Sequence, residues 1–220
     1  MTFVFDEKQP TQLCEIMGRN RSDKGHIHIT HSAHNYTTFY HSIFKDLVNK
    51  KLRVFELGLG TNNTDVPSNM GVNGRPGASL YGWSEYFPLA NVFGADIDKG
   101  CLFTDDRIQT FHCDQTKPDV IKHMWDELCL LENFDIIIED GYHTFSANVC
   151  FLENSIHKLK PNGYYIIEDI RNPDYNLFVI KLDEWKLKYP DCVFTLLRIP
   201  STKNSWDNTV VVVQNKPHNP

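Results

Sequence analysis

The sequence predicts an α/β fold built on a mostly parallel β-sheet with helices on both faces. Apolar runs of strand length alternate with segments of helical periodicity, which is typical of parallel strands joined by helical crossovers. The first long run, residues 52–57, leads into a glycine-rich turn, Gly58-Leu-Gly60. The last two runs, 193–199 and 209–213, are joined by a link too short for a parallel crossover, so they form an antiparallel hairpin. These features predict a Rossmann-like, doubly wound, seven-stranded sheet that ends in an antiparallel hairpin strand.

Composition limits the classes of protein that the chain can represent. Its 220 residues suffice for one sizeable α/β domain, and 41% hydrophobic residues are enough for a buried core. A net charge of −6 argues against a nucleic-acid partner, which needs a basic face. The sequence shows neither a membrane-spanning apolar run nor a signal peptide, so we expect no membrane partner. The six cysteines lack CxxC spacing, which favours reduced core thiols in a cytoplasmic protein over a zinc or disulfide framework.

The segment 134–169 carries the strongest pattern in the chain. An apolar run, 134–138, is followed by a helical pattern that continues to Leu159. Residues 161–163, Pro-Asn-Gly, break that pattern, and a second apolar run, 164–167, follows. The order of strand, helix and strand predicts one parallel crossover unit. Ligands of open parallel sheets bind at the carboxyl ends of the strands, so the residues after these two runs are candidate site residues.

Acids and a histidine follow both runs. Asp140 and His143 come after the first, and Glu168 and Asp169 after the second. Three carboxylates suit magnesium, manganese or calcium, and a histidine beside them can act as a general base. Each acid by itself could instead cap a helix or open a loop, so the prediction depends on the set. Glu139 is left out because side chains alternate along a strand.

Two further elements indicate a nucleotide-like ligand. Gly58 and Gly60 permit positive φ angles and a close approach of the backbone to a ligand. Asp96, at the end of the second predicted strand, suits the two hydroxyls of an adenosine ribose. The long loop 62–76 between these elements is expected to be functional or mobile. Ser79 is predicted to cap the helix that follows the loop.

Residues 1–50 are predicted to form a helical arm or lid, and residues 51–220 the main domain. The arm contains an aromatic helix in which only Tyr36 and Tyr40 carry hydroxyls that could reach a site. The histidine-rich segment 26–34 could bind zinc, but its irregular spacing favours a polar lid or loop.

The order of the motifs resembles that of class I S-adenosylmethionine-dependent methyltransferases. Residues 56–60, Glu-Leu-Gly-Leu-Gly, are followed by Asp96 and then by 113–115, Cys-Asp-Gln. Within that class, the set 140–143 with 168–169 resembles the metal-dependent sugar O-methyltransferases of macrolide biosynthesis, of the mycinamicin and tylosin type. The cephalosporin-pathway relative has a similar acid set.

Three more stretches agree with the same resemblance, which therefore covers nearly the whole chain from Ser22. They are Ser22-Asp-Lys-Gly25, the later His34-Asn-Tyr36, and residues 77–88.

The resemblance implies S-adenosylmethionine as the methyl donor, with Asp96 on its ribose and Asp114 near its adenine. The residues that it assigns to the donor site are Glu56, Gly58, Gly60, Ser79, Asp96, Asp114, Gln115 and Asp140.

The resemblance also implies a divalent metal, magnesium by preference, on Asp140, Glu168 and Asp169. His143 would be the general base, with Asp140 beside it in catalysis. Lys24 and Tyr36 are predicted to bind the acceptor.

The acceptor is the least defined part of the prediction, because the long loop 62–76 and the histidine-rich insert depart from the family pattern. A sugar hydroxyl of a polysaccharide, nucleotide sugar or secondary metabolite is expected. A non-sugar hydroxyl such as a catechol, or a non-catalytic module that binds S-adenosylmethionine, are the alternatives. Assembly into a homo-oligomer is left open.

Overall fold

The computed structural model describes residues 3–25 and 34–216. Within these ranges the chain forms one eight-stranded sheet. Its strands are β1 (Arg53–Leu57), β2 (Asn91–Asp96), β3 (Thr104–Asp105), β4 (Ile108–His112), β5 (Phe134–Glu139), β6 (Leu159–Ile167), β7 (Cys192–Arg198) and β8 (Thr209–Asn215). Its α-helices are α1 (Gln12–Arg19), α2 (Tyr36–Phe44), α3 (Ala78–Tyr86), α4 (Pro118–Trp125), α5 (Phe145–Ser155) and α6 (Tyr175–Lys188).

The sheet confirms the predicted fold class. The strand order is β3-β4-β2-β1-β5-β6-β8-β7. The five neighbouring strands β4, β2, β1, β5 and β6 are parallel to one another. β8 runs antiparallel to β6, and β7 pairs with β8 in the predicted hairpin. The structure has one strand more than the seven predicted, the two-residue β3, which is antiparallel to β4 at the sheet edge. The sequence did not predict it because two residues carry no periodicity.

Helices cover both faces of the sheet. Side chains along each strand alternate between the two faces, so each face packs against helices in its own apolar cluster. Ile136 and Ile138 belong to the cluster that contains α1, α2 and α3. Ile137, between them, belongs to the cluster that contains α4, α5 and α6. The predicted N-terminal arm therefore contributes its helices to the main core, and its separation from residues 51–220 as a lid stays a prediction.

The connection from α5 to β6 differs from the prediction. The helix ends at Ser155, four residues earlier than its apolar pattern suggested, and β6 already begins at Leu159. The predicted break at 161–163 lies inside β6, where Asn162 has a φ of 65° and the register with β5 is irregular. The prediction was wrong here because an apolar residue such as Leu159 fits both a helix face and a buried strand.

The start of α3 also differs. Gly77 occupies the N-cap position with a φ of 73°, and a Cβ there would lie 2.5 Å from the Phe103 ring. The Ser79 hydroxyl donates a hydrogen bond to Glu56 and does not cap the helix. The loop needs a left-handed residue at this turn, which glycine adopts without steric cost.

Two composition-based expectations can be compared with the structure. None of the six cysteines, all of which lie in the described ranges, forms a disulfide. No helix in the part of the chain that the structure describes is long and apolar enough to cross a membrane.

The register places the candidate site. Leu57 pairs with Glu139, which in turn pairs with Ile167. The residues that follow the three strands therefore meet at one edge of the sheet, and two of them are Asp140 and Glu168.

Candidate active site

A cavity of about 840 Å³ opens at the carboxyl edge of the sheet. Its wall is formed by the glycine turn after β1, the loop 62–76, the ends of β2 and β4, and the turn after β5. The predicted site residues that line it are Lys24, Gly58, Gly60, Ser79, Asp96, Asp114, Gln115, Asp140, His143 and Asp169. Glu56, Glu168 and Tyr36 are buried behind this wall.

The glycine turn is closely packed against the turn after β5. Gly58 has a φ of 91°, and a Cβ there would lie 1.8 Å from the Asp140 carbonyl oxygen. Only glycine fits this position, because a side chain would collide with backbone and would also be strained at that φ. The two turns are thereby held in direct contact across the floor of the cavity.

Asp96 braces the same glycine turn. Its Oδ2 accepts a hydrogen bond of 2.8 Å from the Leu59 N–H, and its Oδ1 accepts one of 2.9 Å from the Asp98 N–H. Burial raises the pKa of Asp96, and these backbone donors oppose that rise. The Thr61 hydroxyl donates to Asp98, a residue that the sequence reasoning did not select. The sequence signal that could have identified Asp98 is its position as a second acid two residues after Asp96.

Gln115 connects the end of β4 to the turn after β5. Its Nε2 donates 2.8 Å to Glu139 Oε1, and its Oε1 accepts 2.7 Å from the Tyr142 N–H. Glu139 and Asp140 thus point to different partners, as strand alternation predicts. Burial raises the pKa of Glu139 to about 7. Asp114 lines the cavity, and its Oδ1 accepts hydrogen bonds from the N–H and the hydroxyl of Thr116.

The predicted donor-site residue Glu56 lies inside β1 and is fully buried. Its carboxylate accepts hydrogen bonds from the Ser79 hydroxyl and, at 2.5 Å, from Trp83 Nε1. Its assignment to the donor site stays a prediction.

Lys24 joins three carboxylates: Glu56 inside β1, and Asp140 and Glu168 in the positions directly after β5 and β6. Its ammonium donates to Asp140 and, at 2.5 Å, to Glu168, and it lies 3.6 Å from Glu56 Oε1. Lys24 is 1% exposed. Burial alone would lower the pKa of this ammonium, but the surrounding carboxylates outweigh burial and raise it well above its ordinary value. The residue predicted to bind the acceptor is therefore a buried cation of the acid cluster.

Two phenols from α2 hold the acids after β6. Tyr36 Oη lies 2.7 Å from Asp169 Oδ1, and the Tyr40 hydroxyl donates to Glu168. Burial, together with the neighbouring acids, raises the pKa of both phenols well above the ordinary value, so both stay protonated donors. The spacing of four between the two tyrosines was the sequence signal, because it puts both on one helix face.

His34 is a further residue at this side of the cavity. Its Nε2 lies 3.4 Å from Asp169 Oδ1, and its Nδ1 lies 3.0 Å from Asn208 Oδ1. It belongs to the histidine-rich segment, whose residues 26–33 lie outside the described ranges. The zinc and lid alternatives for that segment therefore stay predictions.

His143 lies between the acids of the two strands. Its Nε2 is 3.9 Å from Asp140 Oδ1 and 3.7 Å from Asp169 Oδ2. Its buried Nδ1 has no hydrogen-bond partner among the described residues. His143 and Asp169 have φ angles of 53° and 55°, which are unusual for residues with a side chain. Backbone strain of this kind persists where the surrounding structure enforces it, and it clusters at functional sites.

Three side chains of this site are close enough together to surround a divalent cation. Asp140, His143 and Asp169 each offer one ligand atom, and the three atoms lie within 4.8 Å of one another. The carboxylate oxygens of Asp140 and Asp169 suit magnesium or manganese, whereas an imidazole is more typical of zinc, iron or copper sites, so His143 is better suited to act as a base beside the ion than as a ligand. Glu168, the third predicted carboxylate ligand, faces Lys24 and Tyr40 in this structure, and its place in the metal set stays a prediction.

The fold is shared with solved methyltransferases. The structure matches the MycE methyltransferase of the mycinamycin pathway, solved with Mg and SAH, with a TM-score of 0.69 and 24% identity. That match covers 96% of this chain and 56% of MycE. A second MycE structure, with Mg, SAH and mycinamycin VI, gives a TM-score of 0.70 at 23% identity.

Curated proteins confirm the predicted resemblance to sugar O-methyltransferases of antibiotic pathways. An 8-demethyl-8-α-L-rhamnosyl tetracenomycin-C 2′-O-methyltransferase from Streptomyces olivaceus is 29% identical over 79% of this chain and 41% of its own length. Demethylmacrocin O-methyltransferase from Streptomyces fradiae is 29% identical over 63% of this chain and 32% of its own length. The chain thus spans less than half the length of these relatives. No family model matches the chain.

Proposed function

We propose that the protein is a metal-dependent O-methyltransferase that moves a methyl group from S-adenosylmethionine to a sugar hydroxyl. One observation carries the proposal: Asp140, His143 and Asp169 converge on the cavity that the glycine turn also lines. The names of the relatives support both the reaction and a glycosylated acceptor.

The donor would lie along the glycine turn. Gly58 and Gly60, both at positive φ, line the cavity and carry no side chain, so a ligand can approach their backbone closely. Asp96 would accept hydrogen bonds from the ribose, and Asp114 lies further along the same wall. A glycine turn followed by an acid at the next strand end is the arrangement that recognises a nucleoside in this type of sheet.

The metal would be held by Asp140 and Asp169, with Glu168 as the third predicted ligand. A divalent cation at such a site lowers the pKa of an alcohol, whose proton no side-chain base could otherwise remove efficiently. His143 Nε2 is the atom that takes the proton, because it faces both carboxylates, which stabilise the resulting imidazolium. A carbon–oxygen bond to the acceptor then forms as the carbon–sulfur bond of the donor breaks.

Positioning is the other contribution of the site. Methyl transfer is an in-line displacement, and holding two reactants in line is worth roughly 7–11 kcal/mol. Tyr36 and Tyr40 fix the acids from behind, while Gly58 fixes the distance between the donor turn and Asp140. The acceptor would be a small molecule or glycan, and a nucleic-acid acceptor is not expected from the net charge of −6.

The test is transfer of labelled methyl from S-adenosylmethionine to matched acceptors with and without a metal chelator. The panel contains free sugars, glycosides, their aglycones and a catechol. We expect labelled glycosides only when magnesium is present, while binding of S-adenosylhomocysteine largely survives chelation. Labelling of the catechol alone would replace the sugar acceptor, and donor binding without any transfer would leave a non-catalytic binding module.

A further inference from the structure

We propose that Lys24 is a built-in counter-ion of the acid cluster, and that a divalent cation must displace its ammonium from Asp140. The inference rests on the proposed metal site. It adds a competing group from within the same chain, so that metal affinity is set partly by Lys24.

The contacts of Lys24 define a complete cation site. Its Nζ lies 2.5 Å from Glu168 Oε2 and 3.6 Å from Glu56 Oε1, and it donates to Asp140 Oδ2. These partners belong to β1 and to the turns after β5 and β6. A buried ammonium is stable only when carboxylates compensate for lost hydration, and here one comes from β1 and two from the positions directly after β5 and β6.

Asp140 is the residue that the two cations would share. It contributes to the trio with His143 and Asp169; its Oδ1 lies 3.9 Å from His143 Nε2, and its Oδ2 accepts from Lys24. A divalent cation on this carboxylate would be repelled by an ammonium on the same group. Binding of either cation to Asp140 therefore weakens binding of the other.

The structure allows the ammonium to leave without unfolding the segment. The Lys24 backbone is anchored, because its N–H donates to Ser22 Oγ at 3.3 Å and its carbonyl accepts from the Thr37 N–H at 3.3 Å. Lys24 also lines the cavity. Rotation of its flexible four-carbon stem therefore moves the ammonium away from the acids while the main chain stays in place.

The first test is calorimetric titration of Mn²⁺ into the full chain, without donor or acceptor, for wild type and Lys24→Met. The substitution removes the charge and keeps an unbranched stem. We expect the dissociation constant to fall about tenfold, within the usual coupling between contacting charged residues. Lys160→Met is the matched control, because it removes a lysine that pairs with Asp135 at 2.8 Å on another part of the sheet. The control should bind Mn²⁺ like wild type.

The outcomes separate this inference from the metal site itself. If wild type binds Mn²⁺ and Lys24→Met binds it equally or more weakly, the counter-ion role is wrong and the metal site stands. If neither protein binds Mn²⁺, the metal site fails and the inference fails with it.

A second measurement needs only wild-type protein and covers the case in which Lys24→Met does not fold. A buried ammonium held by carboxylates should give a protected lysine ¹⁵N resonance. Saturation with Mg²⁺ should shift or remove that resonance, and persistence unchanged at saturation would overturn the proposal.

Discussion

The two sides of the cavity are held together in different ways. The side that we propose binds the methyl donor, called the donor side, comprises the glycine turn 58–60, Asp96, and Gln115 with Glu139. Its contacts join residues at moderate separation in the chain: Leu59 and Asp96 are 37 residues apart, and Gln115 and Glu139 are 24 apart. The acid side comprises Asp140, His143, Glu168 and Asp169 with the N-terminal residues that contact them. There the pairs are distant: Lys24 and Glu168 are 144 residues apart, and Tyr36 and Asp169 are 133 apart.

The difference in contact range is accompanied by a difference in chemistry. The donor side uses backbone N–H groups and glycine conformation, so it follows from consecutive strand–turn units. The acid side buries several carboxylates around one ammonium and two phenols, so it forms only when α2 packs onto the sheet. We infer that changes on the acid side alter metal binding and rate, whereas changes on the donor side alter donor affinity and stability.

The largest expected effect is on the acid side. His143→Ala should lower the methyl-transfer rate by about 10²–10⁴-fold, because it removes the proposed general base. Affinity for S-adenosylhomocysteine, measured by calorimetry, should stay within about twofold, since such a change is small on the free-energy scale. The exposed His123→Ala is the control and should match wild type. A rate within tenfold of wild type would remove His143 from the proton transfer.

The second prediction concerns stability on the donor side and its dependence on pH. Burial raises the pKa of Glu139 from 4.5 to about 7, so between these values the native state holds a proton that the unfolded state has released. The free energy of unfolding of wild type should therefore fall as pH rises through this window and level off above it. Glu139→Gln should abolish this loss, which is at most about 3 kcal/mol.

Urea unfolding at pH 5 and pH 8 checks this prediction. The advantage of Glu139→Gln over wild type should grow with pH, while the exposed Glu127→Gln should show no such trend. Metal affinity should barely change in Glu139→Gln. A large loss of metal binding would contradict the division between the two sides, because Glu139 would then support the acid cluster.

The third prediction returns to the acid side. Tyr36→Phe removes the hydroxyl that lies 2.7 Å from Asp169 Oδ1 and also accepts from the Asp169 N–H at 3.3 Å. Loss of such a supporting partner typically lowers metal affinity about 10–100-fold. Mn²⁺ titration measures the effect, with Tyr164→Phe as a control because its hydroxyl contacts only Gln214 in the hydrogen bonds described. Equal affinities in the two variants would show that Tyr36 does not orient Asp169.

The same division explains what the sequence could predict. The succession of strands and helices, the glycine turn and Asp96 follow from periodicity and from residues close together in the chain. The side-by-side placement of Asp140 and Glu168 also follows, because parallel strands end at one edge. The resemblance to known sugar O-methyltransferases supplied the predicted roles of these residues, which periodicity alone could not.

The remaining details required three-dimensional contacts. Nothing local to Lys24 shows that its ammonium is buried against Asp140 and Glu168, because those partners lie 116 and 144 residues away. The contact of His34 with Asp169 is hidden in the same way. The early end of α5 was missed because helix and strand patterns overlap where apolar residues are spaced by three.

The smallest expected effect tests the donor side through one hydroxyl. Thr61 lines the cavity and its hydroxyl donates to Asp98, which in turn accepts from the Gly100 N–H at 2.8 Å. Thr61→Val keeps the shape and removes that hydrogen bond, so the dissociation constant for S-adenosylhomocysteine should rise about two- to tenfold. Thr61→Ser retains the hydroxyl and should stay close to wild type. If the serine variant bound as weakly as the valine variant, the methyl group of Thr61 would matter more than its hydroxyl. An unchanged rate of transfer at saturating donor is expected in both variants, because neither alters the acids; a fall in that rate would mean that the two sides of the cavity are coupled.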